Sequence, residues 1–118
     1  MRKTNLEMIR GDTLSFGLEI EYSHFHGRAV NPQKLETAVL TVKKDYDDDT
    51  PVIRKELDKG ITYEKTEHDK VYYIVRIAPE DTAGVEEGNY FYDLQIGLNE
   101  DIYTVLYGTL TVFNDVTK

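Results

Sequence analysis

Residues 79–93 read Pro79-Glu80-Asp81-Thr82-Ala83-Gly84-Val85-Glu86-Glu87-Gly88-Asn89-Tyr90-Phe91-Tyr92-Asp93. Proline opens and glycine closes the first six residues, which suits one helical turn and no more. Gly88 then feeds a run in which Tyr90, Tyr92, Leu94, Ile96 and Leu98 share a parity. Side chains two apart lie on one face of a strand, so this row is assigned to a core. The same period of two recurs on both sides of it. Leu14, Phe16, Leu18, Ile20 and Tyr22 form one row; Ala38, Leu40 and Val42 form another; Val71, Tyr73, Val75 and Ile77 form a third. Ile102, Leu106, Leu110 and Val112 also share a parity, with Gly108 read as a bulge because Tyr103, Val105 and Tyr107 opposite are apolar too. Weaker strands are expected at Asn5–Arg10, Val52–Leu57 and Ile61–Lys65.

Turn signals separate the runs. They are His26-Gly27 through Asn31-Pro32, the acidic stretch Asp47 to Pro51, Asp58-Lys59-Gly60, and Gly97 through Asp101, which reads as a hairpin. Seven or eight short strands without a long helical pattern predict an all-β chain. The expected architecture is an immunoglobulin-like antiparallel β-sandwich forming one domain over residues 1–118. In such sandwiches a tyrosine at the corner before a central strand returns its hydroxyl to upstream backbone, and Tyr90 fits that structural role. The absence of Cys and Trp excludes the antibody type.

The chain has 118 residues, with 14 Lys+Arg against 22 Asp+Glu and a net charge of −8. That balance argues against a nucleic-acid binder, which needs clustered cations. Zero cysteine excludes disulfides, thiol nucleophiles and Cys-based zinc sites. Arg2, Lys3, Glu7 and Arg10 interrupt the first residues, so no signal peptide is expected, and no run suits a membrane helix. The expected origin is a cytoplasm.

Sharper chemical readings fare poorly. His24 and His26 lie about 7 Å apart on one side of an extended strand and could begin a metal site with His68 or a carboxylate, but spacing fixes no third ligand. The Asp45–Asp49 turn offers oxygens for calcium yet lacks the glycine of a calcium loop. Arg10-Gly11-Asp12 leads straight into a strand, which suits a turn rather than an adhesion tip. Glu19, Glu21, Glu86, Glu87 and Glu100 show no sign of pairing for glycoside hydrolysis. No catalytic residue, cofactor or metal is assigned, and the chain is read as a non-enzyme.

Several pieces carry a family resemblance: Arg10-Gly11-Asp12-Thr13, Leu40-Thr41-Val42-Lys43-Lys44 with its acidic turn, Gly88 through Ile96, and Gly108-Thr109-Leu110-Thr111-Val112. From Arg10 to Thr117 the chain resembles small immunoglobulin-like proteins of phages and prophages of Gram-positive bacteria. It is similar to the N-terminal domain of phage baseplate upper proteins, which attach receptor-binding parts to the tail. The resemblance implies a virion component, in tail, baseplate or neck, whose partners are other tail proteins or a second copy.

Parity supplies a candidate surface for such assembly. Tyr72, Ile74, Phe91, Tyr103, Val105 and Tyr107 lie opposite the core rows. If their strands share a sheet, they make an aromatic outer face of the kind enriched at interfaces. The alternative function is a carbohydrate- or surface-binding module with exposed tyrosines as stacking platforms. It would show a groove rimmed by carboxylates and amides.

Overall fold

The computed structural model describes residues 2–21, 34–98 and 100–116. Among them are nine strands: β1 (Arg2–Lys3), β2 (Leu6–Ile9), β3 (Leu14–Glu21), β4 (Thr37–Lys43), β5 (Ile53–Leu57), β6 (Gly60–Glu67), β7 (Lys70–Ile77), β8 (Gly88–Leu98) and β9 (Asp101–Phe113). One helical turn, α1 (Pro79–Thr82), precedes β8. The chain is therefore all-β. Its strands form one continuous mixed sheet in the order β1-β9-β8-β4-β5-β6-β7-β3, with β2 also on β9. Residues from every strand except β1 meet in one hydrophobic cluster, and the sheet curls around its own core as a half-barrel.

Most core rows fall where alternation puts them. Ala38, Leu40, Val42, Val71, Tyr73, Val75, Ile77, Tyr90, Tyr92, Leu94, Ile96 and Leu98 are buried. On β3 only Leu18 and Ile20 are fully buried, while Leu14 and Phe16 pack at the margin of the core. The 97–101 hairpin forms, pairing Leu98 with Asp101. Gly60 takes φ 106° next to Asp58 at φ 67°, and the aliphatic stem of Lys55 fills the space a Cβ on Gly60 would need.

Three features differ from expectation. First, the sheet is not purely antiparallel. β1 and β2 run parallel to β9, and β5 pairs briefly in parallel with β6 through Glu56–Gly60 and Leu57–Ile61. The first strands meet β9 through a long crossover, since almost the whole chain lies between β2 and β9, whereas β5 and β6 are joined by Asp58 and Lys59 alone and touch in parallel only at those two pairs. Second, the irregularity in β9 sits at Val105. Leu94 pairs with Leu106 but Gln95 pairs with Thr104. The extra residue reverses the parity of the strand's first part. Ile102, expected in the core, is 64% exposed, and Tyr103 packs on the core instead. Third, Gly108 is not the bulge. It marks where the first strands cross β9: a Cβ there would run into the Thr4 carbonyl. Thr4 N–H donates to the Tyr107 carbonyl at 2.9 Å, and the Tyr92 hydroxyl donates to the Thr4 carbonyl at 2.5 Å. The glycine is what allows this close approach.

The corner before β8 is built from side chains that act on backbone. Asp81 accepts the Ala78 N–H at 2.7 Å and Lys55 Nζ at 2.6 Å, fixing α1 to β5. The Tyr90 hydroxyl donates to the Glu86 carbonyl at 2.7 Å, the bond that a corner tyrosine makes. Lys44 lies over the same ring.

Candidate functional site

The six residues proposed for one aromatic face do not meet. Tyr72 and Ile74 stand on β7, separated from β8 by β4, β5 and β6 along the sheet path. Tyr72 is enclosed by charge: its hydroxyl donates to Glu19 at 3.3 Å, Lys65 lies over its ring, and Lys70 bonds the same carboxylate at 3.0 Å. Lys70 above all, with the Tyr72 hydroxyl, holds the Glu19 carboxyl below its usual range. Ile74 lies between Gly17 on β3 and Thr62 on β6. Tyr103 and Val105 pack against the core because the bulge turns that part of β9 around. Phe91 and Tyr107 alone remain together, on the outer surface of β8 and β9. A continuous aromatic face therefore does not exist, because strand path and register disperse it.

What the outer surface holds is a mixed cleft of about 270 Å³ lined by Thr41, Lys43, Tyr46, Phe91, Tyr92, Asp93 and Gln95. Antiparallel register builds it. Lys43 lies opposite Phe91, Thr41 opposite Asp93, and Asp93 opposite Tyr107. The acidic turn after β4 closes on itself, with the Asp48 carboxylate accepting the Asp45 N–H at 3.1 Å. That turn delivers Tyr46 onto Phe91, the rings stacked at 4.3 Å and 23°. Tyr46 is still 76% exposed. Burial raises the Asp93 carboxyl above its usual value, with Lys43 opposing the shift. Sequence reading missed Tyr46, because a residue in a turn has no parity to reveal its neighbours.

A second feature lies at the end of the sheet where β2, β9 and α1 converge. Ile9 and Phe113 are register partners and are 44% and 42% exposed. Beside them a cavity of about 540 Å³ is lined by Arg10, Gly11, Pro79, Glu80, Ala83 and Asp115. Thr82 Oγ1 accepts the Gly11 N–H at 2.8 Å, which holds the Arg10–Thr13 turn on α1. The Asp115 side chain is only 8% exposed and its Oδ1 faces Arg10 at 3.7 Å. Its Oδ2 is buried without a hydrogen-bond partner among the described residues.

His24 and His26 lie outside the described residues, and His68 occupies the β6–β7 turn at φ 55°. Among the described residues no three His, Asp or Glu side chains group as metal ligands. No helix among them is long and apolar enough to cross a membrane. In comparisons with known proteins, no family model and no curated protein matches the chain.

Proposed function

We propose that the chain is a non-enzymatic structural protein of a phage or prophage particle, a tail, baseplate or neck accessory component made in the bacterial cytoplasm. It works by assembling with itself or with other tail proteins. The particle assignment rests on the sequence resemblance. In this reading the curled sheet is an immunoglobulin-like sandwich, with β9-β8-β4-β5 as one wall and β6-β7-β3 as the other, joined by the short β5–β6 pairing.

One observation carries the assembly part: the exposed Ile9–Phe113 pair beside the buried, unpartnered Asp115 oxygen. Apolar side chains left in water gain by association, and a buried acceptor without a donor costs about 1–3 kcal/mol until one is supplied. A protein partner that covers Ile9 and Phe113 and donates to Asp115 relieves both. The test is solution mass by light scattering over a dilution series, together with mixing against the neighbouring particle proteins. Phe113→Glu abolishes association without unfolding the domain. A strict monomer that also binds none of those proteins overturns the assembly reading.

A further inference from the structure

We infer that the cleft on the outer surface of β4 and β8 is a saccharide-binding subsite, with Tyr46 as its stacking platform. This goes beyond the assembly reading and uses different residues from the Ile9–Phe113 end of the sheet. The inference follows from the balance of chemistry in the cleft. Phe91 backs one face of Tyr46, so the ring is held in place while most of its surface stays in water. Side-chain immobilisation is part of the free-energy cost of binding, and a ring already stacked avoids much of it. An exposed, fixed aromatic face suits the C–H face of a pyranose ring, whose slightly positive hydrogens meet the negative face of the π system.

Around that platform stand polar groups of both kinds: the Asp93 carboxylate as acceptor, Lys43 Nζ as donor, the Gln95 amide as both, and the Thr41 hydroxyl. No described residue forms a hydrogen bond with any of these four side chains, and Lys43 and Asp93 stay too far apart to form an ion pair. The groups are thus uncommitted among the described residues. An apolar protein surface laid over them would bury a carboxylate and an ammonium without partners, at a cost of several kcal/mol. Vicinal hydroxyls satisfy acceptor and donors together. Polyanions are disfavoured by the net charge of −8 and by Lys43 being the one cation among the described residues that line the cleft. The volume, about 270 Å³, sits just under the range of drug-sized sites and matches a single sugar ring.

The experiment is a titration of the isotopically labelled full chain with glucose, galactose, N-acetylglucosamine and rhamnose, followed by amide chemical shifts. At least one sugar is expected to shift the Phe91, Asp93 and Gln95 amides saturably at millimolar concentration. Tyr46→Ala and Asp93→Asn each weaken that binding about tenfold or more, a loss of roughly 1.4 kcal/mol. Tyr46→Ala gives up only the stacking on Phe91, so it lowers the melting temperature by a few degrees and leaves the domain folded; a thermal melt of each variant separates lost binding from lost fold. Three results overturn the assignment: no saturable shift with any of the four sugars, shifts that persist in Tyr46→Ala, or the same amides responding to protein concentration instead. The last would make the cleft a contact between copies. Phe113→Glu, which tests the assembly reading, leaves the sugar response intact.

Discussion

Tyr72 and Tyr73 are neighbours in sequence whose hydroxyls have opposite fates, and removing each oxygen in turn measures what the fold does with them. Tyr73 is 1% exposed, and its hydroxyl accepts the backbone N–H of buried Leu35 at 2.8 Å. This bond ties β7 to the residues entering β4, two parts of the sheet that the strand path keeps apart. Tyr73→Phe keeps the ring and deletes the acceptor. Leu35 N–H is then left buried without a partner, which costs about 1–3 kcal/mol. For a domain of this size that lowers the melting temperature by roughly 4–12 °C. Tyr72→Phe deletes a hydroxyl that makes a 3.3 Å surface bond to Glu19, and its effect stays within about 0.5 kcal/mol. Urea unfolding of the wild type and both variants reads the difference directly, provided the three m-values agree. Equal stabilities for the two variants would refute the account, because the argument depends on the Leu35 N–H having no other acceptor.

Further outcomes follow from the same structure. Burial raises the Tyr73 and Tyr92 hydroxyls above the ordinary value of 10.0, so the stability they contribute is complete below pH 10 and is lost as pH climbs through their folded values. Alkaline melts should show that loss in the wild type and a smaller one in Tyr73→Phe. The Asp93 carboxyl is raised above 3.8 by burial, so ionised Asp93 opposes folding at neutral pH. Asp93→Asn is expected to raise the melting temperature at pH 7, with the gain vanishing below pH 4; a destabilised variant at pH 7 would contradict the sign. Gly108→Ala forces a Cβ against the Thr4 carbonyl and destabilises by about 1–3 kcal/mol, with hydrogen exchange quickening first in β1 and β2. Leu94→Ala empties a fully buried position on the central strand, and denaturant unfolding should show a loss of about 2–5 kcal/mol.

Alternation made most of the core legible, because a strand with one wet and one dry face writes that difference into every second residue. The Tyr90 corner, the one-turn helix and the 97–101 hairpin were legible for a similar reason: each depends on residues within a few positions of one another. The proposed aromatic face was a claim about strands far apart in sequence, and parity says nothing about strand order. It dissolved when β7 proved to lie on the far side of β4, β5 and β6 from β8. Even within β9, one extra residue at Val105 sent Tyr103 inward and Ile102 outward. Gly108 and Val105 lie three residues apart, and only the Gly is conspicuous in sequence. The glycine answers to the Thr4 crossing, a contact across more than a hundred residues that no local pattern encodes.

Asp93 brings these lines together. It stands on the strand with the strongest apolar alternation, at a position whose neighbours in the sheet are Thr41 and Tyr107. A carboxylate there gains no hydrogen bond from the described residues and is raised by burial, so folding alone gives no reason for it; Asn, Thr or Gln would serve the strand as well. Departures of this kind, where local stability is given up without a structural return, mark places where something outside the chain completes the interaction. That is why Asp93→Asn is the most informative single substitution. A gain in stability together with lost sugar binding would show that the carboxylate is kept for a ligand. A gain in stability with unchanged binding would leave the residue unexplained and would take the main acceptor out of the proposed subsite.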